Sequence, residues 1–128
     1  MNTLVFEQFT SFLNERLTKG LHTTEDSVRY SFFAALMQSE GVSPSDVVQE
    51  YPHNTIRNAK VDTYIPHYDG GEAIFEFKYH RAIPSGKNSP RPQKAGQLFR
   101  DVYRLIQFKS TGKCLRLLVY LTDTEMVS

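Results

Sequence analysis

Four charged side chains have the types and spacing to form a cation-dependent hydrolytic site: Glu25, Asp62, Glu76 and Lys78. Glu76 and Lys78 lie in residues 73–80, where side chains alternate with the period of a β-strand. One face of this strand is apolar and the other carries Glu76 and Lys78 side by side. Carboxylates bind hard cations, and an ammonium can hold a water molecule for attack. On a solvated strand the same Glu-x-Lys pair is commonly a surface ion pair.

A second strand predicted over residues 60–65 brings Asp62 to the same face. The turn Asp69-Gly70-Gly71 joins the two strands as a hairpin. The apolar residues of both strands must share one side, and a register in which paired numbers sum to 138 satisfies this. That register sets Asp62 opposite Glu76. The turn alone does not fix the register at a sum of 138. The shared core face does require an even sum, and any even sum places Asp62, Glu76 and Lys78 on the same face.

Glu25 begins a predicted helix that is capped by Thr23 or Thr24 and runs to about Ser39, before Gly41. Glu25 projects on the same side as the helix's predicted buried stripe, whereas Asp26 points elsewhere. The stripe consists of Val28, Phe32, Ala35 and Leu36. An acid in a first turn often only complements the helix dipole. Both interpretations, dipole partner and site carboxylate, stay open.

The remaining pattern predicts the elements that position these residues. Helices are predicted over residues 3–18 and 93–109, a short helical turn over 45–49, and strands over 48–53 (an edge strand, because of Pro52) and 114–121. Residues 114–121 are almost all apolar, which indicates a buried central strand parallel to 73–80. The predicted apolar set of helix 93–109 is Leu98, Phe99, Val102, Tyr103, Leu105 and Ile106, and its polar set is Lys94, Gln97, Asp101 and Arg104.

These elements predict one α/β domain over residues 1–128 with a mixed central sheet of about four strands flanked by helices. An N-terminal helix occupies residues 1–20, and the core over 21–123 has the order α-β-β-β-α-β. No secretory signal and no membrane-length apolar run is present, and the single cysteine, Cys114, fits a small core residue. We therefore expect a cytoplasmic protein without a membrane partner.

Charge is distributed unevenly along the chain although the net charge is only +1. Ten of the 15 lysines and arginines fall between Lys78 and Arg116, where Asp101 is the only acid. A basic region of this kind favours a polyanion, and nucleic acid is the commonest one. A solvated positive face without any partner is the alternative.

Asp62, the hairpin, Glu76-Phe77-Lys78, the basic helix and the apolar strand together resemble the PD-(D/E)XK nuclease superfamily, with its restriction-endonuclease-like fold. The resemblance spans residues 24–123 and rests on order and context, since the single motifs are short. Val61 stands where many members have proline, and no Gln-x-x-x-Tyr follows the lysine, which disfavours the RecB-like subgroup. The short C-terminal part is that of a minimal member, which a partner subunit or a homodimer would complete.

The resemblance implies a metal-dependent endonuclease that hydrolyses DNA with a metal-activated water. Asp62, Glu76 and the Phe77 carbonyl would bind Mg²⁺, which Mn²⁺ could replace, and Glu25 would take a second ion or a bridging water. Lys78 would orient the water and help to deprotonate it. The residues expected to contact nucleic acid are Gln97, Lys94, Arg91, Lys87, Arg81 and His80.

Two other functions remain compatible with the sequence. A catalytically silent nucleic-acid-binding or assembly subunit could use the same fold, although inactive relatives usually lose an acid or the lysine, and all four positions are filled here. A plain α/β domain, with Glu76 and Lys78 as a surface pair, is the third interpretation. Convergence of the carboxylates would distinguish a site from a surface pair.

Overall fold

The computed structural model describes residues 1–80 and 91–122, with side chains in the second range from residue 95 onward. The chain forms two compact units, Met1–Val47 and Val48–Ser128. The first unit contains helices α1 (Thr3–Thr18) and α2 (Glu25–Glu40) and a 3₁₀ turn (Pro44–Asp46). The second contains β1 (Val48–Pro52), β2 (Lys60–Tyr68), β3 (Gly71–His80), α3 (Arg91–Gln107) and β4 (Cys114–Thr122). This is the predicted α/β class; a single domain over 1–128 stays a prediction.

The two N-terminal helices form where capping residues predicted them. Thr24 caps α2 in a capping box with Ser27, and Gly41 ends the helix with a φ of 69°. The predicted stripe of α2 is fully buried: Val28, Phe32, Ala35 and Leu36. In α1, Val5 and Phe9 are the buried residues and Leu17 is exposed. Phe9 packs edge-on against Phe32, with ring centroids 5.3 Å apart.

The four strands form one mixed sheet in the order β1-β2-β3-β4. β2 runs antiparallel to both β1 and β3, and β4 runs parallel to β3, as predicted for the helical crossover. The pairs Thr63–Phe75, Tyr64–Ile74 and Ile65–Ala73 reproduce the predicted sum of 138. β1 is an edge strand, as Pro52 indicated.

β4 does not occupy the central position predicted for it. It lies at the end of the described sheet, and β3 is the strand with neighbours on both sides. Residues 73–77 of β3 are buried on both faces, including Glu76, which was predicted to lie on the polar face. An apolar run predicts burial of side chains but not the position of a strand in its sheet.

β2 continues through Pro66, where the sequence predicted its end. The pairing of β2 with β3 shifts between Ile65 and Tyr68, and proline lies within this irregularity. Proline has no backbone N–H, but because the regular pairing is interrupted here, no hydrogen bond of the sheet is lost. Asp69 and Gly70 then turn the chain with φ values of 49° and 77°, the pair of positive angles typical of a type I′ hairpin turn.

Helix α3 packs on the sheet with only part of the apolar set predicted for it. Leu105 and Phe108 join a buried cluster with Val61 and Ile74, and Asp101 is also buried. Phe99, Tyr103 and Ile106, all predicted to be apolar core residues, are instead exposed at 74%, 56% and 63%. The helix has apolar residues on two sides, so periodicity alone could not select the buried one.

Polar contacts from β4 and from the loop after β1 hold the C-terminal end of α3. Arg116 donates to the carbonyl oxygens of Leu105 and Phe108 at 2.7 and 2.9 Å. His53 Nδ1 accepts from the backbone N–H of Thr55, so its Nε2–H donates to the Arg104 carbonyl at 2.8 Å. These bonds satisfy carbonyls that a helix end leaves free, and they fix the orientation of α3 over the sheet.

Two predictions about the cellular setting can be compared with the structure. Cys114 is a free, half-buried cysteine that packs against the core cluster, and burial raises the pKa of its thiol. Among residues 1–80 and 91–122, no helix has the length and apolar character that a membrane span requires. Cytoplasmic location stays a prediction.

Candidate functional site

Asp62 lies where the regular pairing of β2 with β3 stops. Its Oδ2 accepts a hydrogen bond from the backbone N–H of Phe77 at 2.8 Å. The carboxylate thus takes the role that a backbone carbonyl has elsewhere in an antiparallel ladder. In a strand the N–H and C=O of one residue point to the same side, so the Phe77 carbonyl also points toward β2. Asp62 and the Phe77 backbone are therefore adjacent.

Glu76 is the most deeply buried acid of the described chain, at 1% exposure. It interacts with Asp62 through charge and through a hydrogen bond between the two side chains. Its Oε1 atom is buried and, among the described residues, has no hydrogen-bond partner. A buried carboxylate oxygen without a partner is costly and uncommon. This excludes the interpretation in which Glu76 belongs to a surface ion pair.

Lys78 meets the buried acid of α3. Its Nζ lies 3.5 Å from Oδ2 of Asp101, and Asp101 Oδ1 lies 3.3 Å from Nη1 of Arg104. Asp101 is only 4% exposed, whereas Lys78 and Arg104 are partly open to solvent. Two strands and one helix therefore deliver three acids and two bases to one cluster: Asp62, Glu76, Lys78, Asp101 and Arg104.

The electrostatics of the cluster follow from burial. Desolvation, with the charge and hydrogen bond of Asp62, raises the pKa of Glu76 to about 9. Desolvation also raises the pKa of Asp101, and the charges of Lys78 and Arg104 partly oppose that rise. Near neutral pH Glu76 therefore holds its proton.

The predicted site residues are placed as follows. Asp62, Glu76 and Lys78 come together in the second unit, whereas Glu25 is a half-buried residue at the start of α2 in the first. A carboxylate role for Glu25 therefore stays a prediction. Gln97 is half-buried on α3, and His80 Nδ1 lies 3.0 Å from the hydroxyl of Tyr120.

The other predicted nucleic-acid contacts concern basic side chains that are not described. The backbone of Arg91 and Lys94 lies in the first turn of α3. Arg81 and Lys87 fall outside the described residues. Contacts of these four side chains with nucleic acid stay predictions.

Asp101 and Arg104 are the site residues that sequence analysis missed. Both were assigned to the polar side of α3 without a role. Asp101 could have been singled out from the sequence, because it is the only acid between Lys78 and Arg116. An isolated acid in a basic segment is a natural counter-charge, and here it lies buried between two bases.

Two carboxylates and one carbonyl of this cluster are the groups that could hold a metal ion. Among the described residues, no group of three or more His, Cys, Asp or Glu side chains is arranged to hold a metal. The fitting donors are Glu76 Oε1, which has no hydrogen bond, the Asp62 carboxylate and the Phe77 carbonyl. Mg²⁺ binds proteins through one or two carboxylates and keeps several waters, so donors of these types could hold it.

A surface cavity of about 540 Å³ at the opposite end of β3 contains no predicted site residue. Residues 66–72 and 110–113 line it. Its half-buried acid, Glu72, accepts hydrogen bonds from the hydroxyls of Tyr64 and Ser110, both at 2.5 Å. These bonds lower the pKa of Glu72, so its carboxylate is charged and each of its oxygens accepts a hydrogen bond. The cavity thus lacks the unpartnered acid found in the cluster.

No family model, curated protein or solved structure matches this chain. The function must therefore be argued from the residues of the cluster and their geometry.

Proposed function

We propose that this chain is a Mg²⁺-dependent nuclease that hydrolyses phosphodiester bonds in DNA. One observation carries the proposal: Glu76 Oε1 is buried without a hydrogen bond beside the Asp62 carboxylate, and Lys78 belongs to the same cluster. A cation would offset the cost of burying that oxygen and would take the place of the proton that Glu76 holds beside Asp62. The resemblance to PD-(D/E)XK nucleases, drawn from the sequence, supports the same function.

Asp62, Glu76 and the Phe77 carbonyl would hold the ion, and Mn²⁺ could replace Mg²⁺. When bound, Mg²⁺ would stabilise the charge that develops on the phosphate oxygens during hydrolysis. The Phe77 N–H fixes the Asp62 carboxylate at 2.8 Å, which keeps one donor in place before binding. Glu25 would supply an additional carboxylate.

Lys78 would hold the attacking water and offset its developing negative charge. Its side chain is 22% exposed, so the ammonium can reach a substrate at the surface. Asp101 fixes that ammonium from the α3 side at 3.5 Å. The residues that would contact the phosphates are Arg81, Lys87, Arg91, Lys94, Gln97 and His80.

The test is incubation of purified protein with plasmid and oligonucleotide DNA in Mg²⁺, Mn²⁺ or EDTA. We expect cleavage that requires the cation and that Lys78→Ala abolishes. Lys113→Ala is the matched control, because Lys113 is an exposed lysine paired with Asp69 outside the cluster. Cleavage in EDTA, or full activity of Lys78→Ala, would contradict the proposal.

The same fold could instead bind nucleic acid without cleaving it. The ion pair with Asp101 favours this second candidate, because it already engages Lys78. A silent binding subunit would retain DNA in EDTA and in Mg²⁺ alike, with a salt-dependent affinity and no product. The same incubation, followed by an electrophoretic mobility shift, separates the two functions.

A further inference from the structure

The side of helix α3 that faces away from the sheet carries aromatic rings and positive charge. Phe99 and Tyr103 are 74% and 56% exposed, and Arg100 is exposed as well. Among the described residues, no acid forms an ion pair with Arg100. Asp101 is the only acid in the sequence of α3, and it is buried beside Lys78. Charge complementarity therefore favours a polyanion as the ligand of this side.

Helical spacing joins these residues into one continuous strip. Residues three or four positions apart are neighbours on the surface of a helix. Phe99 is therefore a neighbour of Tyr103, and Tyr103 is a neighbour of Arg100. Arg100 is in turn a neighbour of Arg104. We name Phe99, Arg100, Tyr103 and Arg104 the α3 strip.

The α3 strip ends at the candidate site. Arg104 Nη1 lies 3.3 Å from one oxygen of the Asp101 carboxylate, and Lys78 Nζ lies 3.5 Å from the other. The side chains of Arg104 and Lys78 are 35% and 22% exposed, so both bases reach the surface beside the same acid. A polyanion that lies along the strip would therefore reach Lys78.

We propose that the α3 strip binds unpaired nucleotides of single-stranded DNA and directs that strand to the candidate site. Phe99 and Tyr103 stack on the bases, and Arg100 and Arg104 contact the phosphates. Aromatic rings combined with bases along a strand are what single-stranded nucleic acid requires of a protein surface. In a duplex each base is covered by its neighbours, so only unpaired bases can stack on the two rings. This inference rests on the proposed nuclease function for the identity of the ligand, and it adds the class of substrate.

Fluorescence anisotropy with a labelled dT oligonucleotide in EDTA tests the strip without any cleavage. We expect tighter binding of this strand than of a duplex of the same length. Phe99→Ala/Tyr103→Ala should weaken binding at least about tenfold, because each stacked ring contributes about fivefold or more. Leu17→Ala/Tyr30→Ala is the matched control, since these residues of α1 and α2 are 70% and 75% exposed outside the strip.

Three results of this binding experiment would overturn the proposal. The first is equal affinity of the natural chain for the single strand and the duplex, or no binding of either. The second is an unchanged affinity of the α3 variant, which would leave the exposed rings to a protein partner. The third is an equal loss of affinity in the control variant.

A tryptophan at the strip reports stacking directly. The natural chain contains no tryptophan, so Tyr103→Trp introduces a single indole. We expect the dT oligonucleotide to quench the fluorescence of this indole through stacking of a base. Tyr30→Trp is the control and should keep its fluorescence. Quenching that is absent, or equal in both variants, would contradict stacking at position 103.

Arg100→Ala tests the phosphate contact. The slope of log affinity against log salt should become less steep by about 0.7 when one phosphate contact to a single strand is lost. Phe99→Ala/Tyr103→Ala should leave the slope unchanged, because the two rings carry no charge. An unchanged slope in Arg100→Ala would exclude this contact.

Cleavage in Mg²⁺ separates this inference from the nuclease proposal. If both hold, the natural chain cuts single-stranded DNA faster than duplex DNA, and Phe99→Ala/Tyr103→Ala loses this difference. Equal cleavage of both DNAs by the natural chain would overturn the role of the strip and leave the nuclease function intact. Binding that depends on the rings, without any cleavage, would support the strip and overturn the nuclease function.

Discussion

Lys78 and Asp101 form an ion pair of 3.5 Å between β3 and α3, with the acid almost completely buried. Because Arg104 contacts the other oxygen of the same carboxylate, one buried acid holds two bases from different elements. Removing that acid would leave two partly desolvated cations facing each other.

We expect Asp101→Asn to lower the free energy of unfolding by about 1–2 kcal/mol, a range that allows for the partial exposure of both bases. Urea unfolding measures the change, and a double-mutant cycle with Lys78→Met tests its cause. If the pair is responsible, Asp101→Asn costs less once Lys78 is methionine. If Asp101→Asn lowers the free energy of unfolding equally in both backgrounds, the ion pair with Lys78 is not the cause. Asp69→Asn, at an exposed pair with Lys113, is the control and should change stability little.

Ionisation of Glu76 should lower the free energy of unfolding as the pH rises. Its pKa is raised from the ordinary 4.5 to about 9 by burial and by Asp62. Between these values the folded state holds a proton that the unfolded state has lost, so its stabilising effect is complete below pH 4.5 and lost toward pH 9. One proton contributes at most about 1.4 kcal/mol per pH unit.

Glu76→Gln removes that proton exchange while keeping the shape of the side chain. We expect the variant to gain stability relative to the natural chain as the pH rises from 5 to 8, measured by urea unfolding without metal. Glu72→Gln is the control, because hydrogen bonds from Ser110 and Tyr64 lower the pKa of Glu72 from 4.5, so its effect on the pH dependence lies below pH 4.5 and its profile from pH 5 to 8 should run parallel to that of the natural chain. Parallel stability profiles for the natural chain and Glu76→Gln would contradict the burial argument.

Asp62 has a structural and a proposed catalytic role that two substitutions separate. Asp62→Ala removes the acceptor of the Phe77 N–H and should cost about 1 kcal/mol of stability. Asp62→Asn retains an oxygen acceptor and should remain stable, yet lose more than about 100-fold in Mg²⁺-dependent cleavage because the carboxylate is gone. Unfolding and plasmid cleavage are measured on both. An Asn variant with unchanged cleavage would exclude Asp62 as a metal ligand.

Gly71 permits the close approach of β3 to the segment before β4. A Cβ at this position would lie 2.1 Å from the carbonyl oxygen of Lys113, which accepts from the Glu72 N–H at 2.9 Å. Gly71→Ala should therefore lower the free energy of unfolding by about 2–3 kcal/mol. Gly112→Ala is the control, since a Cβ there meets nothing within 4 Å. Similar melting temperatures for both variants would contradict the steric argument.

Much of the fold was predictable from local patterns. Capping residues placed α2, and the alternation of β2 and β3 gave the parity of the register that sums to 138. Parity of the core faces sufficed to place Asp62 beside Glu76, because a shift of one residue would have exposed every apolar side chain of a strand. These features depend on neighbours in sequence or in one hairpin.

The errors arose where two packing solutions satisfied the same pattern. An apolar β4 fits either the centre or the edge of a sheet, and α3 has apolar residues on two sides. The sheet buried Leu105 and Phe108 and left Phe99 and Tyr103 exposed, which turned Asp101 inward. Helical spacing cannot make that choice, because it depends on which side chains the sheet can accommodate.

The sequence by itself therefore determined the elements, the parity of the hairpin register and the grouping of Asp62, Glu76 and Lys78 on one face. Only the tertiary structure decided that this face is covered by α3. It also decided that Glu76 is buried and that Asp101 is the acid that meets Lys78. The reason is physical: alternation reports which side of a strand a residue occupies, whereas burial and pKa depend on what packs against that side.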